Sequence, residues 1–193
     1  LGFFVGNAHH FVSKKIHSPA RSKPDRYFKP QTKQKSPFHS AVFHCSVVLR
    51  SKAYYGMVEC ILNFCHYCLN DDELLDYLDF FEERGIGIIN ASPLSMGLLS
   101  QRGVPEWHPA PKSLVDVCSK AAQFCMEKDY PIEKLAIQYS VANPRIASTL
   151  FSSANPQNVA RNIEWANQKV DEQLVADVRN IIGSQMRVSW ANT

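Results

Sequence analysis

The sequence predicts an α/β fold, a parallel sheet whose strands alternate with helices, preceded by a basic arm without regular structure. Charge divides the chain in two. Residues 1–56 hold ten Lys/Arg against Asp25 alone, and residues 57–193 hold eleven against seventeen Asp/Glu, so the net charge of +3 describes neither part. From Met57 onward, apolar runs of about five residues alternate with amphipathic stretches, the rhythm of strand, helix, strand. A length of 193 residues at 45% hydrophobic content suits one domain or half of a large one. No apolar run approaches the roughly 18 residues of a membrane span, so a membrane-spanning protein is excluded.

The arm comes first. From Ser13 to Ser40, prolines at 19, 24, 30 and 37 stand among lysines, serines and glutamines, a composition that cannot offset the entropy of ordering and predicts disorder. The apolar patch from Ala41 to Leu49 fits a strand or a fragment of one. Basic residues without acids also suit a nucleic-acid or acidic-surface contact, or an organelle presequence, but an extension without a selected role is favoured. The first residue is Leu1 rather than Met, which suggests a chain that begins inside a longer reading frame.

Cys60 to Cys68 reads as a buried strand, and Asn70 to Glu73 then supplies a cap and acids suited to a helix N-terminus. Leu74, Leu75, Leu78 and Phe81 recur at helical spacing, and Gly85 ends that helix. Ile86 to Asn90 is a second strand, apolar as one covered on both faces should be. A long loop, Ala91 to Pro111, leads to a helix over 112–128 with Leu114, Cys118, Ala121 and Cys125 on one face. A helix over 131–142 begins at Pro131, where a missing N–H costs nothing, and Asn143-Pro144 stops it. Ile146 to Phe151 is the third strand. Asn155-Pro156 opens a helix with Val159, Ile163, Ala166 and Val170 on one face, and a last helix follows Asp171 and ends at Gly183. Three parallel strands cannot close a barrel and leave two edges, so as barrel material this is part of one.

Chemistry is sparse. The loops after the second strand (Ala91 to Leu99) and the third (Ser152 to Asn155) each offer hydroxyls and backbone N–H groups, the latter at a helix N-terminus that favours an anion. Cys65 and Cys68 with His66 invite a zinc or redox reading, but on an extended strand residues three apart point to opposite faces, and no metal site is assigned. No GxSxG elbow and no glycine-rich nucleotide fingerprint occur. His108 reads as a loop residue beside Trp107. The cysteines form no framework and read as reduced thiols of a cytoplasmic protein.

CHYCLND at 65–71, GIGIINASPLSMGLL at 85–99, PEWHPAP at 105–111 and KLAIQYSVANPRIASTL at 134–150 together resemble the C-terminal half of an aldo-keto reductase, the L-galactose dehydrogenase-like branch. The resemblance covers residues 58 to 183 and implies a partial (β/α)8 TIM-type barrel, with the three strands as the sixth, seventh and eighth. Residues 184–193 form a tail. It further implies an NAD(P)-dependent oxidoreductase acting on an aldose such as L-galactose, with NAD favoured. Whether this portion alone holds the cofactor stays open.

Carried over by position, Asn63 would hold the nicotinamide carboxamide, and Ala91 stands where an aromatic often stacks on the ring. Ser92, Pro93, Leu94 and Ser95 match the loop along the pyrophosphate. Ser152, Ala154, Asn158, Arg161 and Asn162 match the surroundings of the adenosine end. The family's catalytic Asp, Tyr, Lys and His come from the second to fourth strand regions, and residues 1–56 do not supply them in a recognisable context, so no catalytic residue is assigned. Tyr54 and Tyr55 lack the family's surroundings. The alternative is an inactive cofactor- or protein-binding half-barrel, self-associating through exposed barrel edges, with nucleic acid not a favoured partner.

Overall fold

The computed structural model describes residues 58–190, together with the short strands Val12–Lys14 (β1) and Ser40–Val42 (β2). Three central strands follow the sequence rhythm: β3 (Cys60–Phe64), β4 (Gly87–Ala91) and β5 (Ser148–Phe151). The five lie in one sheet in the order β1-β5-β4-β3-β2. β3, β4 and β5 are mutually parallel, β2 joins β3 in parallel, and β1 pairs antiparallel with β5. The edges expected to stand unpaired therefore carry strands from the basic arm. For Val12–Lys14 the expectation of an unstructured arm is corrected, Ser40–Val42 meets the strand fragment expected from Ala41 onward, and the rest of that expectation, with Tyr54 and Tyr55, lies outside the described residues.

Helices connect the strands. A 3-10 turn, Glu73–Tyr77, runs into α1 (Leu78–Glu83), and Gly85 takes φ 66° just beyond its end, a conformation without steric cost only for glycine. Between β4 and β5 lie α2 (Lys112–Glu127) and α3 (Ile132–Ala142). After β5 come α4 (Pro156–Ala166) and α5 (Glu172–Ile182), whose N-caps Asn155 and Asp171 accept bonds from Gln157 N and Leu174 N, both at 2.9 Å.

The periodic face of α2, Leu114, Cys118, Ala121 and Cys125, is wholly buried and packs with Leu174, Val178 and Ile182 of α5. Ile61 and Ile88 of the sheet pack against Leu78 and Phe81 of α1. On α4 the buried residues are Asn162 and Ala166, whereas Ile163 is largely exposed, so the inner face is narrower than the spacing suggested. Residues 183–190 return over the core: Trp190 is buried, and Arg187 donates to Asp72 at 2.7 Å and to Asp76 at 2.7 Å.

β4 is shifted by one residue from the expected Ile86 to Asn90, and two strand boundaries differ by more. β3 stops at Phe64 because Cys65 adopts φ 62°, after which Cys68 and Asp71 close a tight turn through reciprocal backbone bonds of 2.7 and 3.2 Å. The premise that Cys65 and Cys68 share an extended strand is thus corrected. β5 begins at Ser148, because Ile146 packs into the layer beneath α1.

A candidate cofactor-binding rim

The three central strands β3, β4 and β5 end on one side of the sheet, and the loops that follow them leave from there. Alternation along the strands decides which side chains face what. Ile61, Asn63, Ile88, Asn90, Thr149 and Phe151 are buried, and Cys60, Leu62, Ile89, Ala91, Ser148 and Leu150 on the opposite face are half-buried. The buried set faces the helices: Thr149 Oγ1 donates to the Ser140 carbonyl of α3 at 2.9 Å, and Phe151 packs with Ile137 and Val141.

Asn63 belongs to the helix side. It is 0% exposed, and its Nδ2 donates to Asn90 Oδ1 at 2.8 Å, while Asn90 Nδ2 donates to the Tyr67 carbonyl at 3.0 Å. Two amides in register thus hold β3 against β4 from behind. Leu62 and Phe64 share the opposite face, and Phe64 is 42% exposed.

β3 and β4 both end in a left-handed residue that is not glycine, Cys65 (φ 62°) and Ser92 (φ 64°), each directly after a register pair, Phe64 and Ala91. Ser95 (φ 48°) and Met96 (φ 58°) repeat the conformation in the next turn. Such residues cost about 1–3 kcal/mol each and persist where surroundings over-determine them. Here the surroundings are specific. Ser95 is fully buried, its Oγ donates to Asn70 Oδ1 at 2.7 Å, and Cys68 Sγ lies 3.0 Å from that hydroxyl. The Ser95 carbonyl accepts from Leu98 N at 3.1 Å and faces His108 Nε2 at 3.2 Å.

The second loop is more open. Ser152 and Ala154 are exposed, and Ser153 Oγ accepts from Asn155 N at 3.2 Å and Asn158 Nδ2 at 3.4 Å. The Asn155 side chain already caps the helix, so an anion at α4 would meet this amide as well as the helix N–H groups. Asn158 Oδ1 accepts from Arg161 Nη2 at 2.8 Å, and the guanidinium lies 4.8 Å from the Trp165 ring centroid. Asn162 is buried on the inner face of α4.

Several residues that organise this rim escaped the sequence reading. His66 Nδ1 lies 3.1 Å from Asp71 Oδ2 and 3.3 Å from Glu73 Oε2. The bond to Asp71 raises the His66 pKa above its ordinary value, against the opposing effect of burial, and Glu73 adds to the shift. These three side chains approach closely enough to share a metal ion, although a protonated imidazole satisfies the same two carboxylates. Asn70 is buried, with its Nδ2 lacking a partner among the described residues. Burial pushes the Cys65 thiol up to about 12 and Cys68 well above its usual value, so neither is a thiolate nucleophile near neutral pH. The signal available in the sequence was the polar run HYCLND, directly after an apolar strand.

The rim loops are poor in negative charge. Neither Ala91 to Leu99 nor Ser152 to Asn158 carries an acid, Ala91 and Ser92 are partly accessible at the strand end, and Arg161 stands at one side. Comparison with known proteins places the chain in a family. The Aldo/keto reductase family model matches residues 44–182, starting inside the stretch that composition assigns to the arm. L-galactose dehydrogenase of Arabidopsis thaliana is 39% identical over 139 residues, 70% of this chain and 44% of the relative. D-arabinose 1-dehydrogenase of Saccharomyces cerevisiae is 30% identical over 93 residues, 45% of this chain and 27% of that one. Among solved structures, the holo form of aldo-keto reductase AKR11C1 from Bacillus halodurans superposes with a TM-score of 0.54 at 20% identity, covering 78% of this chain and 49% of its own. This chain thus spans less than half the length of those curated relatives, and it belongs to the aldo/keto reductase family.

Proposed function

We propose that this chain forms the cofactor-binding side of an NAD(P)-dependent oxidoreductase that acts on an aldose such as L-galactose, with NAD favoured. The observation that carries the reading is the 39% identity to L-galactose dehydrogenase over 139 residues, 70% of this chain. Residues 57–183 supply the last three βα units of a (β/α)8 barrel, after a basic extension over 1–56 and before a tail over 184–193. The nicotinamide supplies or accepts the hydride. Around it, Ser92, Pro93, Leu94 and Ser95 would hold the pyrophosphate, Ala91 would leave room beside the ring, and Ser152, Ala154, Asn158 and Arg161 would hold the adenosine end. Ser95 acts through its backbone, since its hydroxyl is committed to Asn70. Asn63 and Asn162, both buried, support the rim from behind.

The family's general acid and the lysine that tunes it belong to strand regions outside this matched portion, so the chain by itself turns over no sugar. A second reading, an inactive cofactor- or protein-binding half-barrel, is favoured by β1 and β2, which occupy both edges of the three-stranded core. The half-buried face with Phe64 suits self-association in either case, and the free thiols of the described cysteines suit the cytoplasm. Among the described residues no helix is long and apolar enough to cross a membrane.

The test is a titration of the purified chain with NADH and NADPH, followed by fluorescence, with an L-galactose oxidation assay alongside. Saturable binding without turnover is expected. Absence of binding up to millimolar cofactor would overturn the cofactor-side reading, and turnover would show that the chain holds its own acid.

A further inference from the structure

The loop PEWHPAP is rich in proline and polar groups, yet His108 within it is buried at 9% exposure while its neighbour Trp107 is 65% exposed. A surface loop turns one ring inward for a reason, and both imidazole nitrogens are engaged. Nδ1 accepts from Ala110 N at 3.1 Å, and because a backbone N–H can only donate, the ring proton sits on Nε2. Nε2 therefore donates to the Ser95 carbonyl 3.2 Å away. The edge of the ring is backed by Trp190, with centroids 5.0 Å apart. His108 N bonds the Pro105 carbonyl at 2.9 Å, so the backbone beneath the ring is fixed as well.

The acceptor is the informative end. Ser95 and Met96 are two successive left-handed residues in a turn where an extended or right-handed backbone would be less strained. Within the turn, Leu98 N already bonds the Ser95 carbonyl, and His108 supplies a second donor to its other lone pair from thirteen residues away. We propose that His108 is a positioning residue for the loop that follows β4, holding its strained turn in the shape that receives a dinucleotide pyrophosphate. This rests on the cofactor-side reading above. His108 itself touches no cofactor: it acts through Ser95, and Trp190 holds it in place.

A pair of amide substitutions separates the two imidazole bonds. His108→Gln places a donor where Nε2 stands, and His108→Asn keeps an acceptor for Ala110 N but falls short of Ser95. Two readouts are taken on the whole chain, amide exchange at Gly97, Leu98 and Leu99 without ligand, and the NADH dissociation constant. The Asn variant is expected to exchange about tenfold faster and to bind NADH about tenfold more weakly, about 1.4 kcal/mol. The Gln variant should stay within about threefold of the parent in both. If the Asn variant does not fold, His108→Phe, which keeps the ring against Trp190 and lacks both nitrogens, takes its place.

Equal behaviour of the Gln and Asn variants would overturn the proposal, because packing alone would then explain the ring. Faster exchange with unchanged NADH affinity would also overturn it, reducing His108 to a structural clamp. A parent chain that binds neither NADH nor NADPH would instead overturn the functional reading, and the positioning role with it. That outcome is separate, because the exchange comparison is made without cofactor.

Discussion

Asn63 Nδ2 donates to Asn90 Oδ1 across 2.8 Å in a region where both residues are 0% exposed. Asn90 in turn donates to the Tyr67 carbonyl, so one side chain joins two strands and the loop beyond them. Removing Asn90 breaks both buried bonds at once, and a buried group that loses its partner costs about 1–3 kcal/mol. Asn90→Ala is therefore expected to lower unfolding stability by at least about 2 kcal/mol in urea titrations. Asn63→Ala should also destabilise, yet change NADH affinity less than about twofold where the chain remains folded, which separates support from contact. An Asn63→Ala chain of full stability and much weaker cofactor binding would return Asn63 to the ligand.

His66 gives the rim a pH dependence whose sign follows from its neighbours. Asp71 raises its pKa in the folded chain above the ordinary 6.5, helped by Glu73 and opposed by burial. A raised folded value means that the stabilisation is fully present below about pH 6.5 and lost as pH rises through the higher folded value. Thermal melts between pH 5.5 and 8.5 should show the parent losing stability with rising pH relative to Asp71→Asn, which lacks the main cause of the shift. Parallel curves for the two chains would show that the pair does not couple to folding.

The legible parts of this fold were those where one residue type has one physical use. Leu114, Cys118, Ala121 and Cys125 recur at helical spacing and are all buried in α2, and Asn155 before Pro156 caps α4 as such a pair should. The strand ends were not legible. Nothing in CILNFCHYC marks Cys65 for φ 62°, because the cause lies in the turn closed by Cys68 and Asp71 and in the pairing of Cys65 N with the Ala91 carbonyl at 3.3 Å. The facing of Asn63 was not legible for a related reason. A motif match gives a residue's place along a strand, and only the pleat, read against Ile61 and Ile88, gives its side. His108 was found in sequence as a loop residue beside Trp107, but its partner Ser95 was hidden by thirteen intervening positions.

Cofactor choice turns on Arg161. Discriminating the 2′-phosphate of NADP calls for Lys or Arg placed for charge-assisted bonds near the adenosine ribose, and the stretch from Ser152 to Asn158 has none. Arg161 is the nearest cation in sequence, and its guanidinium is drawn to Asn158 Oδ1 and lies over Trp165. Those contacts engage Nη2 and one face of the guanidinium and leave its other N–H donors available. Charge-assisted bonds are worth about 1.5–3 kcal/mol each, and with no cation in the Ser152–Asn158 stretch to make them NAD is the expected cofactor. NADH is expected to bind the purified chain at least as tightly as NADPH, and Asn158→Arg, which frees Arg161 and adds a second cation, should shift the ratio of dissociation constants about tenfold toward NADPH. A parent preference for NADPH of tenfold or more, lost in Arg161→Ala, would show instead that Arg161 already reads the phosphate.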